Sequence, residues 1–344
     1  MPSGTNDQDS DGCRLSAEAI YADLDEARAK DAYALLNEGW TRSAHEPELK
    51  RTGDKPWLIG VITTIPDLPC SSHPFFGPVQ AGIRTATYRA HCDVLVPAHG
   101  PALPDGPDLL VFERCRKHGV QGLIVMGIGS GHVDYRLALE SGLPVVFVDF
   151  DAIGEHVGYV MSNNVEAAAS AVSHLHKLGR RRIATITDGS RTRPGIDRLL
   201  GYRSGLARLG LEAREEYIAS GDFYHQSGLE RMQQLLALPE PPDAVVAASD
   251  MNAVGVILAI ERAGLRVPED IAVVGFDDAP FARQLRPTLT SVRLKPFELG
   301  FAAAEGVIAM LDDPSLPPPA IRMATELAVR ESCGIEIPRS APGW

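Results

Sequence analysis

From Trp57 onward, short apolar runs alternate with longer stretches whose apolar residues recur at helical spacing. The runs Trp57–Thr63, Asp93–Pro97, Gln121–Met126, Pro144–Phe150, Arg182–Thr187, Ala244–Ser249 and Ile271–Phe276 are nearly continuous Val, Ile, Leu and Ala. A strand with one wet face alternates, whereas a continuous run belongs to a strand covered on both faces. The helical stretches between them include 76–90, 165–178, 196–209, 227–236 and 252–263. Gly119, Gly142, Gly179, Gly210 and Gly264 fall where a helix ends in a left-handed residue. Strand, helix and strand in repeated order predict parallel sheets joined by right-handed crossovers. Seven or more strands over about 270 residues suit two α/β lobes better than one sheet. A cleft at the carboxyl ends of the strands is then the expected ligand site.

Composition narrows the function classes. The 344 residues are 44% hydrophobic and 23% charged, an ordinary globular make-up that excludes wholesale disorder and fibrous repeats. A formal net charge of −12 argues against a whole-molecule nucleic-acid binder but leaves room for a local basic module. Residues 1–56 are themselves acidic, twelve carboxylates against seven basic groups. The first dozen residues read as a disordered tail, 16–36 carry an Ala-rich helical pattern, and 45–56 read as a linker. The five cysteines have no metal-binding or disulfide spacing, so they read as buried or incidental thiols. Without a leader or an apolar run of spanning length, a cytoplasmic protein with no membrane association is expected.

The candidate chemistry lies in loops. His73-Pro74-Phe75-Phe76 follows the first strand and offers aromatic faces for a sugar or base, or simply packs a helix start. Arg198 near the start of a helix offers a guanidinium to a pair of ligand oxygens, with an exposed arginine as the plain alternative. Phe223 precedes another helix, and packing is its alternative role. Ser249-Asp250 and Asp277-Asp278 stand at strand ends; Asp250 reads as a helix cap and Asp277 as the better ligand group. The 127–131 Gly-rich loop fits neither dinucleotide nor phosphate-loop spacing. No nucleophile elbow, zinc-protease helix or Cys/His arrangement is present, so no enzyme, no catalytic residue, no metal and no cofactor are expected.

Several motifs in order resemble the lactose-repressor (LacI/GalR) family of transcriptional regulators. They are the HPFF loop, DRLLGYRSGL at 197–206, AASDMNAVG at 247–255, RVPEDIAVVGFDD at 266–278, PTLTSVR at 287–293 and ELG at 298–300. The resemblance runs from about Trp57 to Glu331. It implies an α/β, two-lobed periplasmic-binding-protein-like (type I) fold, each lobe a parallel sheet flanked by helices, plus a short helical N-terminal segment. One lobe is expected to take 57–160 plus 292–318, the other 161–291 plus 319–332, with 1–56 as head and linker and 333–344 as tail. Carried over residue by residue, ligand contacts fall on His73, Phe75, Phe76, Asp149, Arg198, Phe223, Ser249 and Asp277.

The resemblance implies a dimeric regulator whose lobes close on a small sugar-like effector and so shift its affinity for operator DNA. His73 and Ser249 stand where Asn is usual, and Leu294 where Gln is frequent, so the ligand is not a copy of a familiar one. Arg191 and Arg193 hint at a ligand with negative charge or a purine-like carbonyl. In the head, 25–40 resembles the last helix of a DNA-binding module and 45–53 its hinge, which puts Leu49, Lys50 and Arg51 at the DNA. No recognition helix is visible upstream, and Glu46-Pro47-Glu48 places acid where phosphates would lie. A ligand-binding sensor of the same fold without DNA-binding activity is therefore the alternative.

Overall fold

The computed structural model describes residues 56–63, 73–97, 109–127, 133–189 and 191–334, those at 109–110 and 133–135 by backbone alone. Leu49, Lys50 and Arg51 lie outside the described residues. The first six-stranded sheet contains β1 (Leu58–Thr63), β2 (Asp93–Leu95), β3 (Gly122–Met126), β4 (Val145–Val148), β5 (Val157–Ser162) and β11 (Ala320–Met323). The second contains β6 (Ile183–Thr187), β7 (Ile218–Ser220), β8 (Ala244–Val246), β9 (Ala272–Asp277), β10 (Thr290–Arg293) and β12 (Glu326–Ala328). Their spatial orders are β11-β5-β4-β3-β1-β2 and β12-β10-β9-β8-β6-β7. All pairings are parallel except β10 with β12, which is antiparallel.

The helices are α1 (Phe76–Arg89), α2 (Leu109–Lys117), α3 (Val133–Glu140), α4 (Asn164–Lys177), α5 (Arg193–Arg208), α6 (His225–Leu236), α7 (Asp250–Arg262) and α8 (Pro296–Asp312). The continuous apolar runs are buried on both faces as expected: Leu123, Ile124, Val125 and Met126 of β3 are all at most 1% exposed. Each such side chain contributes roughly 2 kcal/mol of burial. All five helix-ending glycines have positive φ, from 69° to 93°. α1 and α8 pack backbone to backbone, because a Cβ on Gly82 would strike the Phe297 carbonyl and one on Gly300 the Val79 carbonyl. Among the described residues no helix is long and apolar enough to cross a membrane.

Three boundaries differ from expectation, the first because β5 stays in the first sheet through Ser162 and not residue 160. β11 belongs to the first sheet, so the last crossover follows Met323 and not residue 318. The cause is local: Gly158 leaves room for Pro319, whose carbonyl accepts the Tyr159 N–H at 2.7 Å and starts the pairing. β10 in turn stays with the second sheet through Arg293.

In each sheet the chain turns first to one side of its leading strand and then to the other, at β1 and at β6. The carboxyl ends of such strands open a crevice. The two crevices face each other, and the connections that leave those strand ends carry the site.

Candidate functional site

One cavity of about 150 Å³ lies between the lobes. The first lobe lines it with His73, Pro74, Phe75, Phe76, Gly127, Val148 and Asp149; the second adds Thr192, Pro194, Arg198, Phe223, Tyr224, Ser249, Met251 and Asp277. All eight residues singled out in the sequence therefore converge here. A cavity of roughly 150 Å³ takes a single small ring such as benzene.

The first lobe's wall is aromatic. Phe75 and Phe76 meet edge to face with centroids 5.2 Å apart, and His73 lies 4.9 Å from Phe76. His73 Nδ1 accepts the N–H groups of Phe75 (3.2 Å) and Phe76 (3.3 Å), which would otherwise be orphaned at the start of α1. An imidazole nitrogen that accepts cannot carry the proton, so the neutral ring bears it on Nε2 and remains a donor there. Burial pushes the His73 pKa down to about 4, which keeps the ring neutral. Across the cleft its ring meets Tyr224 edge-on at 6.3 Å.

The second lobe supplies the cation. α5 begins earlier than its apolar spacing suggests because Thr192 caps it, accepting the Gly195 N–H at 3.2 Å, with Pro194 in the first turn. Thr192 also donates to Asp188 at 2.6 Å. A Cβ at Gly195 would overlap the Asp188 carboxylate, which would have to shift and give up its bond from Thr192. This turn presents Arg198, which is 8% exposed. Its guanidinium lies 4.4 Å from the Phe276 ring centroid and 5.5 Å from that of Phe223. Nε donates to Asn164 Oδ1 at 3.0 Å, and Nη1 donates to the Ala248 carbonyl. Two of the five guanidinium N–H groups are thus committed within the protein, which leaves both N–H groups of Nη2 and the second one of Nη1 for a ligand.

Asp149 and Asp277 face this single cation. Both turn at strand ends with positive φ, 58° and 115°, a backbone state that asparagine and aspartate tolerate best and that often marks a site. Burial raises the Asp149 carboxyl to about 6, although Arg198 and the Ser162 N–H (3.3 Å) pull it back. Burial likewise raises Asp277 to about 7 against the pull of Arg198.

Two expectations change here. The helix cap is Ser249, whose Oγ accepts the Asn252 N–H at 2.9 Å, and not Asp250. Asp250 is fully buried in the first turn of α7 and accepts from the Ser291 hydroxyl (2.6 Å) and the Ala279 N–H (2.7 Å). Ser249 also donates to the Phe223 carbonyl at 2.5 Å, so its hydroxyl proton is already used. Arg193 does not line the cavity, because Asp151 and Asp197 each hold it at 2.8 Å. Arg191 does not line the cavity either, so the anionic-ligand hint finds no support in the lining.

The sequence reading did not single out Val148, Thr192, Pro194, Tyr224 or Met251. The Thr-x-Pro cap signal at 192–194 was available, whereas Met251 had no signal beyond standing next to Ser249-Asp250.

Comparison with known proteins agrees with this architecture. Residues 172–333 match a periplasmic binding protein-like domain. The chain is 30% identical over 322 residues to the ribose operon repressor of Escherichia coli K12, covering 93% of this chain and 92% of that one. It is 33% identical over 215 residues to the HTH-type transcriptional regulator CelR of Thermobifida fusca, of whose length it spans 63%. A solved CelR–cellobiose complex superposes with a TM-score of 0.72 at 27% identity, covering 87% of this chain and 88% of that one. These relatives are transcriptional regulators, not enzymes.

Proposed function

Because the chain belongs to the LacI family of transcriptional regulators, we propose that it is an effector-controlled regulator. In this reading it acts in the cytoplasm as a homodimer on operator DNA and takes a small, neutral, polyhydroxylated single ring between its lobes. The observation that carries the proposal is the charge balance of the cavity, two half-buried carboxylates against one guanidinium, enclosed by aromatic and proline side chains. Carboxylates accept hydrogen bonds from hydroxyls, and aromatic faces pack on the C–H faces of a sugar. A sugar acid would add a third carboxylate to a site with one cation. Asp149, Asp277, Arg198 and the His73 Nε2–H fix the polar edge; Phe75, Phe76 and Phe223 hold the apolar faces. The size favours one ring over the two of the cellobiose that CelR holds. Binding both lobes at once favours the closed arrangement, and this differential affinity is what passes to the DNA-binding end.

The length of the ribose-repressor match supports DNA binding. Its 93% coverage leaves about 24 residues unmatched, so it extends well into 1–56. The acidic balance of that segment favours the second reading, a sensor of the same fold that does not bind DNA.

A gel shift with DNA from upstream of its own and neighbouring genes separates the two readings. Salt-sensitive binding that a neutral monosaccharide modulates is the expected result. No binding at any salt concentration overturns the regulator. A thermal-shift panel of neutral monosaccharides, sugar acids and nucleobases tests the ligand class, and a response confined to sugar acids contradicts it.

A further inference from the structure

Beside the cavity, four side chains close a ring of alternating charge. Arg193 Nη1 meets Asp151 Oδ1 at 2.8 Å, and Asp151 Oδ2 meets Arg322 Nη2 at 2.9 Å. Arg322 Nη1 faces Asp197 Oδ2 at 3.8 Å, and Asp197 Oδ1 returns to Arg193 Nε at 2.8 Å. Asp151 lies in the β4–β5 connection and Arg322 on β11, both carried by the first sheet. Arg193 and Asp197 lie in the first turn and a half of α5, in the second lobe. An opening that carries α5 away from the β4–β5 connection and β11 separates Arg193 from Asp151 and Arg322 from Asp197 together.

We propose that this ring is an electrostatic latch: it holds the lobes closed over the cavity and positions the α5 turn that presents Thr192, Pro194 and Arg198. The proposal rests on reading the cavity as a ligand site, but its principal test does not.

Three observations support it. Asp197 is 1% exposed, and its Oδ2 has no hydrogen-bond donor among the described residues. Arg322 is thus the cation that attends this oxygen, and a lobe that swings away strands a buried carboxylate oxygen. The ring also shares its segments with the cavity: Asp151 stands two residues from Asp149, and Arg193 and Asp197 flank Pro194 and precede Arg198. Finally, the Arg193, Asp151 and Arg322 side chains are 34%, 21% and 36% exposed. Charges at that depth attract across the cleft yet still respond to salt. The four residues are positioning residues, since none of them lines the cavity.

The test uses the ligand-free full chain with Cys13→Ser and Cys70→Ser. One spin label is placed on each lobe through Glu140→Cys and Glu230→Cys. Pulsed dipolar spectroscopy then reads the interlobe distance. At low salt a short-distance population should dominate, and added salt should transfer it to longer distances. Arg193→Gln, Asp151→Asn and Arg322→Gln should each raise the open fraction about threefold. The Arg193→Gln/Asp151→Asn double variant should open no further than either single one, and Arg193→Lys should restore most of the closure. Identical distributions in all variants, or additive effects in the double one, overturn the latch.

A second arm adds D-ribose, D-glucose or D-galactose. A sugar that closes Arg193→Gln again supports both the latch and the ligand reading. Failure of all three counts against the ligand reading, and the ligand-free distances still decide the latch.

Discussion

The cavity and the charged ring beside it share the first turns of α5, yet they treat carboxylates in opposite ways. In the ring, Asp151 and Asp197 each lie against two guanidinium groups. In the cavity, Asp149 and Asp277 share one, and burial drives both carboxyls upward, to about 6 and about 7. The contrast repeats between two adjacent residues. Asp277 opens onto the cavity, whereas Asp278 is held by Arg330, by Arg293 at 2.6 Å and by Arg283 at 3.5 Å. A protein built only for stability would pair both. Charges left short of partners in a crevice wait for a ligand, while satisfied ones set the geometry around it.

The largest expected break in this comparison is Arg198→Ala. It removes the cavity's cation and leaves Asn164 Oδ1 and the Ala248 carbonyl without their donor. We expect any neutral-sugar affinity to fall at least ~100-fold, with a stability loss of ~3 kcal/mol near neutral pH. Without the guanidinium both carboxyls rise further, so the native state holds protons to higher pH. The loss should therefore be larger at pH 8 than at pH 5. Equal losses at both values, from urea unfolding, would show that Arg198 acts by packing alone.

Asp278→Asn and Asp277→Asn should then move stability in opposite directions. Asp278→Asn strips the carboxylate from three arginines and should cost about 2–3 kcal/mol with little change in sugar binding. For Asp277 the sign follows from linkage. Its folded value of about 7 lies above the ordinary 3.8, so the native state binds the proton more tightly. Its contribution to stability is then lost as pH rises from about 4 to 7. Asp277→Asn removes that penalty and should stabilise the ligand-free chain by about 2 kcal/mol at pH 8, shrinking toward pH 5, while sugar affinity drops at least ~10-fold. Destabilisation by both substitutions would erase the distinction between the two carboxylates.

Most of the fold and the cavity was legible in the sequence because both rest on local signals. Double-sided burial writes continuous apolar runs, and left-handed helix ends demand glycine. The loops at strand ends carry motifs that resemble a known family. What was not legible depends on contacts between distant segments. The three-residue strands β7 and β12 are too short to show a period. Gly300 and Gly306 weaken the helical signal of α8, although close approaches to Val79 and Pro319 require them. Arg193 gave no sign that Asp151, more than forty residues away, would claim its charge. The split between Asp250, buried and fully engaged, and its neighbour Ser249, which caps, needed the positions of Ser291 and Ala279.

The smallest expected effect separates the two nitrogens of His73. Nδ1 belongs to the protein, as acceptor for two backbone N–H groups, while the Nε2–H belongs to the cavity. Asn offers an acceptor near the Nδ1 position and nothing at Nε2; Gln reaches the Nε2 position but gives up the short-range acceptor. His73→Asn should therefore keep stability within ~0.5 kcal/mol and weaken sugar binding about tenfold. His73→Gln should lose ~1 kcal/mol of stability and retain more of the binding. Because burial holds the ring's pKa near 4, ¹⁵N spectra should show one neutral Nε2–H tautomer from pH 5 to 8. A spectrum with the proton on Nδ1, or a titration near 6.5, would sever the helix-capping role from the ligand-facing one.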